Sequence, residues 1–256
     1  MIIRKSAAEL DMMQRAGRIV ADTHALLGEH IRPGATTAEL DRIADDYIRS
    51  RGGFPTFLGY PGAYPYPASI CASLNDVVVH GIPNDEPLKE GDVLSVDVGV
   101  TYDGFVGDSA YTYRVGEVDD EAERLLEVCD AALWAGIEKS RSGAHLSDVS
   151  HAIQTVTEDA GFSVIRSLVG HGVGRNMHED PQIPNFGEPG RGPVLAPGMT
   201  LAIEPMITAG GPEVVVRDDR WTIATRDGSL AAHFEHTVAV TDGEPRILTA
   251  APVSVS

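Results

Sequence analysis

Residues 96–108 read VDVGVTYDGFVGD, and this stretch decides how the rest of the chain folds. An Asp-Gly dipeptide, Asp103-Gly104, sits between runs rich in Val, Thr, Tyr and Phe, the strongest short signal for a hairpin with a two-residue turn. With that turn, Tyr102 faces Phe105, Gly99 faces Asp108 and Asp97 faces Ala110. Side chains alternate between the two faces of a strand, so Asp97 and Asp108 share one face as diagonal neighbours. Two anions that close on a sheet are costly unless a cation sits between them. Whatever completes such a site must come from elsewhere in the chain.

With 256 residues and 43% hydrophobic content, the chain can bury a sizeable core in one or two domains. Its 38 acidic against 20 basic residues give a net charge of −18, which argues against binding to nucleic acid or to an anionic membrane. Two cysteines, Cys71 and Cys129, make no disulfide framework and fit a reducing compartment. The N-terminal residues lack an apolar core of signal-peptide length, and no apolar run is long enough to span a membrane. These features predict a soluble, cytoplasmic protein.

N-terminal to the hairpin, Ser6 and Glu9 form a capping box ahead of a helical pattern that runs to Leu27. Thr36 caps a second helix that Gly52-Gly53 stops. The segment FPTFLGYPGAYPYP (residues 54–67) reads as an aromatic loop. Strands are expected at 69–74, 77–80, 93–101 and 105–115. Helices follow from Asp119 or Asp120 to about Ser140, and from His145 to Gly161. Further strands are expected at 163–169, 200–208, 213–216, 221–225, 230–241 and 246–248.

The order of two helices followed by strands thus occurs twice, and the likeness reaches individual residues. RPGATTAEL from Arg32 aligns with RSGAHLSDV from Arg141, and EGDVLSVDV from Glu90 aligns with PGMTLAIEP from Pro197. Near-constant offsets in matching element order argue for an internal duplication, roughly 6–115 and 119–248, within a single α+β domain spanning 1–256. The second alignment sets Glu204 against Asp97, so each half offers a carboxylate at the same place.

Strand-like positions therefore carry four carboxylates: Asp97, Asp108, Glu204 and Glu235. The glycine-flanked segment GHGVGRNMHED adds His171 and His178. Four carboxylates with one or two imidazoles suit two divalent cations about 3.5–4 Å apart that activate a shared water. The oxygen-rich donor set favours Mn, Fe, Co or Zn over thiophilic metals. On spacing alone, however, an acidic strand residue is as readily part of a solvated face.

Five motifs, SICASLNDVVVHGIP, SVDVGVTYDGFVGDSA, GHGVGRNMHEDPQIPN, GMTLAIEPM and WTIATRDGSLAAHFEHTVAV, occur in this order and spacing. Together they resemble the type I methionine aminopeptidases, in the short bacterial form, and the likeness runs from the first helix to Thr241. The resemblance implies the pita-bread (creatinase/aminopeptidase-like) fold, in which two pseudo-symmetric halves each combine two helices with antiparallel strands. It also implies a metal-dependent aminopeptidase that removes the N-terminal methionine from nascent polypeptides when the second residue is small.

By the same resemblance, Asp97, Asp108, His171, Glu204 and Glu235 would hold two divalent ions, with Asp108 and Glu235 bridging. A dimetal-bound water or hydroxide would attack the first peptide bond, and Glu204 would accept its proton. His178 would hydrogen-bond the carbonyl oxygen and His80 would contact the scissile nitrogen. The methionine pocket would be lined by Tyr60 or Tyr66, Cys71, His80, Met177 and Trp221, a soft apolar wall suited to a thioether. The family expectation is a monomer, and transient docking at the ribosome suits such an enzyme, although a net charge of −18 offers no evident basic patch for it.

The chain departs from the family pattern in three places. Met177 stands where an aromatic is usual, which predicts looser selection at the first residue. The loop GYPGAYPYP is longer and richer in proline than usual. Gly99 and His233 replace the commoner Thr and Gln near the ligands, and His233 is expected either to hydrogen-bond a metal ligand or to pack beneath the site. His24, His30, His145, His151 and His236 read as packing or surface residues, and Cys129 as a core thiol. A prolidase or aminopeptidase P reading is disfavoured because those enzymes usually carry a sizeable N-terminal domain. A non-catalytic peptide-binding relative would typically have lost metal ligands that are all present here.

Overall fold

Ser6 starts the first helix by the expected capping box: its hydroxyl accepts from the Glu9 amide while the Glu9 carboxylate accepts from the Ser6 amide. The computed structural model describes residues 1–250. Among these are four helices, α1 (Ala7–Gly28), α2 (Thr37–Ser50), α3 (Asp120–Lys139) and α4 (Leu146–Asp159), and short strands that pair antiparallel throughout. The mixed α+β class and the helix positions are those the sequence predicts.

The hairpin joins Val93–Tyr102 to Phe105–Arg114 with Tyr102 opposite Phe105, Gly99 opposite Asp108 and Asp97 opposite Ala110. Asp103 and Gly104 have φ of 49° and 78°, the left-handed pair that a type I′ turn demands. Leu94, Val96, Val98 and Val100 point to one side and form a core with Val20 and Leu27 of α1 and Leu40 and Ile48 of α2. Each such buried side chain contributes about 1.5–3 kcal/mol, so this face is firmly held and the alternate residues, Asp97 and Gly99, are turned the other way. Helix α1 meets the outer strand backbone to backbone: a Cβ on Gly107 would lie 2.6 Å from the Gly17 nitrogen.

In the second half, Leu125, Leu126 and Leu133 of α3 and Ile153 of α4 pack on Leu201, Ile203, Ile207, Phe234 and Val238. Two stretches expected to be single strands are interrupted. Residues 200–208 form Thr200–Ile203 and Met206–Thr208, while 230–241 form Ala231–His233 and His236–Ala239. The interruptions lie side by side, because His236 pairs with Ile203 and Met206 with His233. At Pro205 the chain lacks an N–H for the ladder, and at Glu235 the amide donates to Ala110 of the hairpin instead (2.9 Å). Glu204 and Glu235 occupy the gap where the two strands pass from one sheet to another.

The stretch 163–169 also divides, into Ser163–Val164 and Val169–Gly172. A strand the sequence did not predict, Glu179–Pro184, lies on the edge of the five-stranded sheet beside Val169–Gly172. Its two prolines read as breakers, yet an edge strand tolerates them.

Candidate metal centre

Asp97 and Asp108 reach the site from the hairpin, and hydroxyls bind that hairpin to the second half. The Thr237 hydroxyl donates to the Asp108 carbonyl (2.8 Å) and accepts from the Asp108 amide (3.1 Å). Ser109 donates to the Glu235 carbonyl (2.6 Å) and Thr112 to the His233 carbonyl (2.7 Å). These buried side chains stitch Phe105–Arg114 to residues 233–237 and so set Asp108 against Glu235. Reading the sequence for ionisable groups missed all three. Their signal was a hydroxyl at several positions of an otherwise apolar strand.

Ligand atoms of Asp108, His171 and Glu235 lie within 4.8 Å of one another. His171 Nε2 is 3.4 Å from Glu204 Oε1 and 3.6 Å from Asp108 Oδ2. The other ring nitrogen, Nδ1, lies 3.0 Å from the Gly172 carbonyl, an acceptor, and therefore carries the proton. Burial, with His178 and His233 nearby, pushes the His171 pKa down to about 3, so the ring is neutral. Its Nε2 lone pair then points at carboxylates that are themselves acceptors.

Asp97 Oδ1, Asp108 Oδ1 and Glu235 Oε1 are buried without hydrogen-bond partners. Burial raises the pKa of Asp97, Asp108, Glu204 and Glu235 well above the carboxylate range, and mutual repulsion adds to the rise for Asp97, Asp108 and Glu235. Lone pairs facing lone pairs, orphaned oxygens and crowded anions all fit a divalent cation with oxygen and imidazole donors. The five sequence-predicted ligand positions are brought together in one place. Asn185 holds Glu204 from behind, its Nδ2 donating to the Glu204 carbonyl at 2.9 Å.

His233 turns its Nε2 into the same cluster, 3.6 Å from Glu204 Oε2 and 4.0 Å from Glu235 Oε2. Those distances are too long for the expected hydrogen bond, and Nε2 has no partner. His236, by contrast, bonds to the Thr249 hydroxyl through Nδ1 (2.9 Å) and packs edge-on to Trp134, away from the cluster.

The carboxylates form the head of a cavity of about 260 Å³. Tyr60, Tyr66, Cys71, His80, Met177, His178 and Trp221 all line it, together with Phe57 and Leu168, which the sequence reading did not single out. Both tyrosines face the cavity, so the choice between them dissolves. Tyr66 is buried and donates to the Gly81 carbonyl (2.8 Å), whereas half-buried Tyr60 reaches His178 Nδ1 at 2.6 Å. The His178 ring lies 4.2 Å from that of His171, centre to centre. His80 adopts a left-handed backbone with φ of 58° and packs edge-on to Trp221. For a non-glycine residue that conformation is strained, as is common where a side chain must be aimed at a ligand. Burial brings the His80 pKa down to about 4.

The profile of metallopeptidase family M24 matches residues 11–242. The Bacillus subtilis protein named methionine aminopeptidase 1 is 51% identical over 249 residues, covering 97% of this chain and 99% of that protein. A crystal structure of methionine aminopeptidase from Thermotoga maritima superposes with a TM-score of 0.95 at 46% identity, covering 97% and 99% of the two chains. An Xaa-Pro dipeptidase from Bacillus anthracis shares the fold at a TM-score of 0.77 and 20% identity, covering 97% of this chain and 62% of that one.

Proposed function

This chain belongs to metallopeptidase family M24, with its pita-bread fold, and from that premise we propose that it is a methionine aminopeptidase acting on new polypeptide N-termini. The observation that carries the reading is the imidazole lone pair of His171, aimed at two carboxylates at the head of an apolar cavity. A cation site beside a pocket of that kind places hydrolytic chemistry next to a bound apolar side chain.

Asp97, Asp108, His171, Glu204 and Glu235 would hold the metal. We assign two divalent ions to this set, because four ionised carboxylates and a neutral imidazole would balance two such charges. When bound, divalent ions supply Lewis acidity to a carbonyl and lower the pKa of water. The donor set accepts Mn, Fe, Co or Zn.

The chain's own residues do the rest. Glu204 takes up a proton on its carboxylate as the nucleophile forms. Tyr60 occupies His178 Nδ1, which leaves Nε2 to donate a hydrogen bond to the oxygen of the first peptide bond as charge builds there. The departing amine takes the proton that Glu204 received, while neutral His80, at the cavity wall, hydrogen-bonds it. Met177, Trp221, Tyr66 and Cys71 surround the methionine side chain with polarizable and aromatic groups. A small second residue is required because a larger one meets the rim of the site.

We further read residues 6–115 and 119–248 as a duplicated unit within one domain. A monomer suffices, since all these groups lie on one chain. Substrates would be met in the cytoplasm as chains emerge from the ribosome. No helix among the described residues is long and apolar enough to cross a membrane.

The deciding experiment strips the protein with a chelator, restores Mn, Co, Fe or Zn separately, and offers Met-Ala-Ser beside a proline-second peptide with a larger first residue. Metal-dependent methionine release from the first alone is the expected result. No release with any metal overturns the proposal.

A further inference from the structure

Gly99 lies on the site face of the hairpin, two residues from Asp97 and opposite Asp108. Its importance is in what its missing side chain admits. A Cβ there would stand 2.9 Å from Met177 Cε, 3.3 Å from Phe57 Cζ and 3.3 Å from Thr56 Cβ. Carbon atoms in contact prefer about 3.5–4.0 Å, so the terminal methyl of Met177 already fills the space a side chain at 99 would take. Met177 and Phe57 both line the cavity, and Met177 is buried. The φ of Gly99 is not in the left-handed region, so packing and not backbone conformation is what excludes a larger residue.

We infer that Gly99 and Met177 form one specificity unit, in which the glycine is a seat that holds the thioether of Met177 out of the methionine pocket. This deepens the methionine aminopeptidase reading and rests on it. An unbranched side chain with three rotatable bonds needs such a seat, because it has no ring to keep it in place. With the seat filled, the methyl must move, and the cavity that Met177 lines is open space beside it. The pocket then becomes shorter, and the far end of the substrate side chain is what collides.

The inference is tested with Gly99→Ala, Met177→Ala and the double variant, each metal-loaded, on Met-Ala-Ser and on norvaline-Ala-Ser, whose first side chain is shorter. Wild-type release of methionine is the control: without it, the functional reading itself fails. Given that control, Gly99→Ala is expected to lower kcat/KM for Met-Ala-Ser about tenfold more than for the norvaline peptide, chiefly through KM, since a methylene in a pocket is worth about 10–200-fold. Adding Met177→Ala to Gly99→Ala should abolish that selective loss. A general disturbance of the hairpin would lower both peptides alike and would not be relieved by Met177→Ala, and either result overturns the inference. If Gly99→Ala does not fold, folding of the double variant supports the pairing, and failure of both variants to fold overturns it.

Discussion

The Tyr60 hydroxyl and His178 Nδ1 are 2.6 Å apart, so the aromatic loop fixes a ring that also packs, tilted by 50°, against His171. Loop residue and histidine come from opposite halves of the chain, and the bond couples the pocket wall to the group assigned to the carbonyl oxygen.

Replacing Tyr60 by Phe keeps the wall and removes the oxygen. A hydrogen bond of this kind is worth about 1 kcal/mol net, or roughly fivefold in rate. Tyr60→Phe should therefore lower kcat by about that factor while leaving KM for Met-Ala-Ser little changed. Steady-state kinetics on the metal-loaded variant checks the split, and a change confined to KM would assign Tyr60 to binding alone.

Metal removal should make stability depend on pH in a defined direction. Asp97, Asp108, Glu204 and Glu235 have folded pKa values raised by burial above about 4, their ordinary range. Such groups contribute stability that is complete below the unfolded value and lost as pH rises through the folded one. His80 and His171, lowered to about 4 and about 3, work in the opposite sense below about pH 6.5. The clean window is therefore above about pH 6.5, where the stripped protein should melt at lower temperature as pH rises. Restored metal should flatten that slope, which a series of thermal melts would reveal.

Asp108→Asn removes one anion from the cluster. In the chelated protein this should raise the melting temperature at pH 8, because a buried like charge is gone. The same variant should bind metal weakly and hydrolyse poorly, so stability and activity move apart. Calorimetry of the stripped protein and metal titration measure the two effects, and a lower melting temperature would show that repulsion is not what strains the site.

Lys5 and Glu179 form a 2.6 Å ion pair, with side chains 4% and 5% exposed, and Glu179 also accepts from the Arg175 and Asn176 amides. This pair ties the N-terminal segment to the loop that carries Met177 and His178. Breaking a buried pair costs about 3–5 kcal/mol. Lys5→Met should approach the lower end of that range, since two backbone donors remain on Glu179. Urea denaturation checks the magnitude.

The parts of the fold visible in the sequence are those fixed by neighbours in the chain. Asp103-Gly104 sets the register of the hairpin, and Ser6 and Thr36 start their helices, each through contacts a few residues long. The interruption at Phe234-Glu235 was invisible because its cause is remote: Ala110 takes the Glu235 amide across more than a hundred positions. The one at Glu204-Pro205 has a local cause, the missing proline N–H, that the sequence does display. The edge strand Glu179–Pro184 was hidden by prolines whose tolerance depends on where the strand lies in its sheet. Candidate ligands were legible as residue types. The distances among them, and the seating of Met177 against Gly99, depend on how the halves meet.

The turn at Asp103-Gly104 also bears on the order in which the molecule assembles. Closing a two-residue loop costs little entropy and takes microseconds, so Asp97 and Asp108 can come together while that segment is still in water. There the dielectric is high and their repulsion is slight. The burden grows only when the second half of the chain brings Glu204 and Glu235 against the hairpin and buries all four carboxylates. An ion captured before that moment would meet open, hydrated carboxylates, whereas one arriving afterwards must enter through the cavity mouth.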